Sequence, residues 1–71
     1  MNIIMSRHAL EQARERGVSI NEIKETIIKG AKFIQQDKIV SKFRHIKIVF
    51  KKIKDNYFII TVMIRTEKNG K

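Results

Sequence analysis

The residues of this chain that can do chemistry are one histidine and a long series of cations. His8 is a candidate general base or acid, because only histidine titrates near neutral pH without being perturbed. Helical spacing puts it opposite an Ala9, Leu10, Ala13 stripe, where it is equally accounted for as a surface residue near a helix N-terminus. Arg14 and Arg16 close the same segment. Their guanidinium forks can grip a phosphate and offset developing charge, although the helix dipole alone would favour cations there. Spacing also lets Arg14 or Arg7 pair with Glu11 on the helix surface. Further on come Lys42, Arg44, Lys47, Lys51, Lys52 and Lys54. A few lysines would suffice to guard a strand edge. This many suggest a track for phosphates, with affinity that salt erodes. Tyr57 can stack on a base, and Thr61 is a hydroxyl in mid-strand.

Composition limits what these residues can belong to. The chain has 71 residues and a formal net charge of +9. The first 37 residues carry six Lys/Arg against five Asp/Glu, and the remainder carry ten against two. Such asymmetry favours a nucleic acid, an acidic protein or an anionic surface. There is no cysteine and only two histidines, His8 and His45, far apart, so neither a disulfide framework nor a metal site is expected, and no cofactor. No apolar run approaches the roughly 20 residues of a membrane span. The opening Met-Asn-Ile-Ile-Met is too short for a signal-peptide core, so a cytoplasmic location is the expectation. A single domain over 1–71 has a thin core, which a partner chain or a homodimer contact can complete.

The elements that must position these residues are legible in outline. Ile3-Ile4-Met5 reads as a short edge strand. Ser6 is an N-cap for a helix over about 7–16, which Gly17 ends. Ser19 to Glu22 is a capping box, with Val18 and Ile23 as a hydrophobic staple. A second helix then buries Ile20, Ile23, Ile27 and Ile28 and ends at Gly30. After Gly30 the period changes to alternation. One strand is expected over about 31–36, a long one over about 39–53, and a third over about 57–65. In the long strand Ile46, Ile48 and Phe50 face the core, while Lys47, Val49 and Lys51 face away. In the third, Phe58, Ile60, Val62 and Ile64 face the core, while Tyr57, Ile59, Thr61, Met63 and Arg65 do not. Residues Thr66–Lys71 read as a frayed polar tail. The expected fold class is α+β, two N-terminal helices packed on a three- to four-stranded antiparallel sheet. The second helix mixes acids with bases, so it is a poor reader of a DNA groove.

Ser6-Arg7-His8-Ala9, followed by Glu11, Arg14, Arg16-Gly17-Val18-Ser19 and Glu22, resembles the N-terminal signature of domain-of-unknown-function family 4258. Ile59-Ile60-Thr61-Val62 is similar to the strand run that ends it. The resemblance covers about residues 4–66. It implies a fold related to RelE- and barnase-type ribonucleases and BrnT-like toxins, RNA as substrate and an antitoxin as partner. It further implies His8, an arginine at Arg14 or Arg16, and Thr61 as active positions. Met63 stands where members often carry tyrosine, and lysines stand where arginines are expected.

The expectation is therefore a small, basic, RNA-interacting hydrolase: a metal-independent toxin-type endoribonuclease. His8 would be the base or acid, Arg14 and Arg16 the clamp, and Thr61 a positioning hydroxyl. Lys42, Arg44, Lys47, Lys51, Lys52 and Tyr57 would bind RNA. The alternatives are a non-catalytic nucleic-acid-binding module, or a partner for an acidic antitoxin that docks on Ile59 and Met63.

Overall fold

The computed structural model describes residues 1–65; the tail expected over Thr66–Lys71 lies outside them. The element order is β1 (Asn2–Met5), α1 (Arg7–Arg16), α2 (Ile20–Lys29), β2 (Ala31–Gln35), β3 (Lys38–Phe43), β4 (Ile46–Ile53) and β5 (Asn56–Ile64). The five strands form one sheet in the order β1-β5-β4-β3-β2. The α+β class holds, but the sheet is five-stranded and mixed rather than three- to four-stranded and antiparallel. Two findings account for the difference. The long strand expected over 39–53 is broken at Arg44-His45 into β3 and β4. The opening segment pairs in parallel with the last strand, Ile3 opposite Tyr57 and Met5 opposite Ile59.

The helix ends follow their local chemistry. The Ser6 side chain accepts from the Ala9 amide at 3.0 Å. The Ser19 hydroxyl accepts from the Glu22 amide while the Glu22 carboxylate accepts from the Ser19 amide, so both halves of the capping box are made. Both staple residues, Val18 and Ile23, are buried. Gly17 ends α1 in the left-handed region at φ 68°, where a side chain would be strained. Gly30 ends α2 for another reason. Its backbone is extended, but a Cβ there would sit 2.5 Å from Ser41 Oγ and 2.7 Å from the Lys42 carbonyl.

The buried stripes are narrower than the expected ones. In α1, Ala9 and Ala13 are buried and Leu10 is exposed. In α2, Ile23, Thr26 and Ile27 are buried while Ile20 and Ile28 are exposed. Burial of Thr26 is tolerable because its hydroxyl donates to the Glu22 carbonyl at 2.8 Å. The helices meet only one face of the sheet, so each buries an i, i+3/i+4 seam and no more. The core lies between them and Ile46, Ile48, Phe50, Ile59 and Val62, with Ile3, Met5, Ile39, Tyr57 and Ile64 at its margin.

The third strand departs from strict alternation. Val49 pairs with Thr61, but Phe50 pairs with Ile59, so Ile60 is an extra residue in a β-bulge. The bulge exchanges the faces of the strand on its N-terminal side. Tyr57 and Ile59 turn to the core, and Phe58 turns away from it. The pattern expected from period two holds only after the bulge, at Val62 and Ile64.

Candidate nucleic-acid interface

The helices leave one face of the sheet uncovered, and the strand registers set out its residues in rows. Phe33, Val40, Val49 and Thr61 lie opposite one another across β2, β3, β4 and β5. Beside them run Ala31, Lys42, Lys47 and Met63. A further row joins Lys51, Phe58 and Ile4. This open face therefore combines a hydrophobic spine with lysines on both sides of it. Val40 is buried within the spine, although no helix covers it.

Lys42 and Lys47 are directly opposite each other. Among the described residues neither pairs with a carboxylate. Like charges in that position destabilise a sheet. The Lys42 ammonium rests 5.4 Å from the centroid of the Phe33 ring. A hollow of about 130 Å³ opens here, lined by Phe33, Gln35, Val40, Lys42 and Lys47. Lys51 is better compensated, 3.1 Å from the Asp37 carboxylate. The hydrogen bond and charge of Lys51 hold the Asp37 carboxyl below its ordinary range.

A larger cleft, about 280 Å³, lies on the helix side between α2 and the sheet. Its lining is mostly apolar, including Ile27, Ile28, Phe50 and Tyr57. Of its two lysines, Lys32 is committed to the end of α2, donating to the Gly30 carbonyl at 3.0 Å and the Ile28 carbonyl at 3.4 Å. The smaller hollow has the amide and two lysines that pair with no carboxylate among the described residues, so it is the better candidate for binding an anion.

The structure divides the cations expected to form one track. Lys42, Lys47 and Lys51 share the open face. Lys52 lies opposite Tyr57 on the other face, 5.6 Å from its ring centroid. Tyr57 is half-buried and tilted against Phe50, with ring centroids 5.6 Å apart. Arg44 sits in the turn at one end of β4, its guanidinium 5.1 Å from the Phe43 ring centroid, and Lys54 sits in the turn at the other end. Ile59, expected on an exposed docking face, is in the core at 1% exposure, because the bulge turns it inward.

His8, Arg14 and Arg16 are all exposed on α1. Arg16 approaches its neighbour Glu15 at 3.7 Å, and the expected pairs of Arg7 or Arg14 with Glu11 are not formed among the described residues. Thr61 is half-buried on the opposite side of the sheet from the α1 packing seam. Among the described residues no hydrogen bond joins His8, Arg14, Arg16 and Thr61.

What connects α1 to this part of β5 is a residue the sequence did not single out. The Gln12 side chain accepts from the Val62 amide at 3.0 Å. The Ser6 amide donates to the Ile59 carbonyl at 3.1 Å, and its hydroxyl lies 3.4 Å from the Ile60 carbonyl. These three contacts span the bulge, where β1 has ended and the ladder on that side is missing. Gln12 is four residues beyond His8 and so shares its stripe of the helix. That spacing was the available signal. Phe33 and Phe58 were also missed as open-face aromatics, Phe58 because the bulge was not foreseen.

Two helices on one face of a five-stranded mixed sheet define a small α+β domain whose other sheet face is open and cationic. Among the described residues, no cluster of three or more His, Cys, Asp or Glu is placed to hold a metal ion, and no helix is long and apolar enough to cross a membrane. The model of a family described as "Domain of unknown function (DUF4258)" matches residues 5–64, and the chain belongs to that family. No curated protein and no solved structure matches it.

Proposed function

We propose that this protein binds RNA across the open face of its sheet and cleaves it without metal, as an endoribonuclease related to RelE- and BrnT-like toxins. The observation that carries the reading is the directly opposed pair Lys42 and Lys47, without a carboxylate partner among the described residues, beside the exposed Phe33. A polyanion relieves that repulsion, since each phosphate contact releases counterions and adds salt-sensitive affinity. The spine from Phe33 to Thr61 then leads an RNA strand toward the bulged stretch of β5, which α1 rather than a strand borders. His8 shares a helix stripe with Gln12, whose side chain reaches that border.

In the cleavage step the RNA 2′-OH loses its proton and attacks the adjacent phosphorus, the P–O5′ bond breaks to leave a 2′,3′-cyclic phosphate, and the departing 5′-oxygen takes up a proton. His8 takes or gives a proton, an arginine of α1 offsets the charge of the transition state, and Thr61 positions the strand. A binding module without cleavage is the second reading. It is favoured by the placement of Thr61 on the sheet face away from α1 and by the lack, among the described residues, of any hydrogen bond joining His8, Arg14, Arg16 and Thr61. Incubation of the protein with total RNA, with and without EDTA, separates the two. Cleavage is expected to persist in EDTA and to fall at least a hundredfold in His8→Ala, the lower range of acid–base contributions. RNA retained on the protein but uncut would leave the binding module; cutting by His8→Ala at the native rate would remove His8 from the chemistry.

A further inference from the structure

The hollow on the open face points to more than a general attraction for phosphate. We propose that it is a subsite for one unpaired nucleobase, so that the protein takes single-stranded RNA and rejects the duplex. This rests on the RNA reading above and specifies the substrate of the same face.

Three features of the hollow fit a base. Its wall is Phe33, a residue 51% exposed, and the Lys42 ammonium rests over its ring. A base can displace the ammonium toward its own phosphate and take its place on the ring, a contact available to any base because all have a π-face. Its floor is Val40, buried and apolar, which offers a base plane no competing polar group. Its rim holds Gln35, whose amide has both donors and an acceptor to match the edge of a base. Lys42 and Lys47 stand on the other side, placed to meet the phosphates that flank it. A base within an A-form helix has its faces stacked and its edge paired, and the narrow major groove admits no side chain. The surface around Phe33 is a flat strand face rather than a projecting helix or loop, so it cannot pry a duplex open.

The test compares a labelled twelve-nucleotide single strand with the same strand annealed to its complement, by fluorescence anisotropy at one fixed salt concentration. The single strand is expected to bind at least tenfold more tightly. Phe33→Leu, which keeps the bulk but loses the ring, should weaken single-strand binding about tenfold, within the range of one base–aromatic stack. Phe33→Tyr should restore it. The chain contains no tryptophan, so Phe33→Trp also supplies a single reporter whose emission a stacked base should quench. Equal binding of duplex and single strand would overturn the subsite while leaving RNA binding in place, and so would full affinity in Phe33→Leu. If neither RNA binds, the RNA reading fails and the subsite fails with it.

Discussion

Single residues in this chain act for reasons that their type alone does not reveal. The two glycines that end the helices show this. Gly17→Ala places a side chain at positive φ with open space around it, and should cost about 1 kcal/mol. Gly30→Ala puts a methyl group against Ser41 and the Lys42 carbonyl, and should cost about 2 kcal/mol or more through overpacking. Urea unfolding of the two variants should rank them in that order. Glu22 allows a prediction about pH. The backbone amide of Ser19, and then its hydroxyl, hold the Glu22 carboxyl below its ordinary value of 4.5. The unfolded chain thus takes up protons first as pH falls. The stabilisation is complete above 4.5 and is lost as pH drops through the lowered folded-state value. Glu22→Gln should therefore flatten the acid limb of the stability–pH curve and leave its slope near neutrality unchanged.

At the scale of elements, the bulge in β5 is the feature on which both packing and site depend. It turns Ile59 and Val62 to the core and leaves Phe58, Thr61 and Met63 outside. It also needs partners for backbone groups that no strand can reach, and Gln12 supplies one. Gln12→Ala leaves the Val62 amide without its acceptor and should cost about 1–2 kcal/mol. Amide exchange should show the loss first at Val62 and its neighbours, and urea unfolding should give its size. The helix caps were legible in the sequence because they are local: Ser6, Ser19 and Glu22 act within four residues of chain. The turn at Arg44-His45 was not legible. Two-residue hairpins of this kind need positive φ and are normally marked by glycine or asparagine. Here Gln36, Arg44 and Lys54 open the three turns with φ of 57°, 57° and 56°, and none of them carries that mark.

For the molecule as a whole, one face of the sheet packs against the helices and the other is open, where we propose that RNA binds. Removing the opposed lysines should separate the two. Lys42→Ala with Lys47→Ala is expected to leave folding stability unchanged or slightly higher, since like-charge repulsion is removed. The same change should weaken binding of single-stranded RNA and flatten its dependence on salt by about 1.4 in a log–log plot, the value for two phosphate contacts. Thermal unfolding and binding titrations at several salt concentrations measure both effects. If the salt slope stays at the native value, these lysines do not hold phosphate.

The sequence by itself determined the two helices with their caps, the change from helical to alternating period after Gly30, the outward face of β4 and the concentration of cations beyond residue 37. All of these follow from neighbours in the chain, where spacing converts directly into direction. Only the tertiary structure decided the parallel pairing of β1 with β5, the bulge at Ile60 and the division of the cations between two faces and two turns. The first joins opposite ends of the chain, as where Ile3 lies beside Tyr57, and the other two are set by register between strands, as where Phe50 pairs with Ile59 and passes over Ile60. A one-residue bulge reverses every side chain on one side of it, so the composition of the open face could not be read from alternation alone.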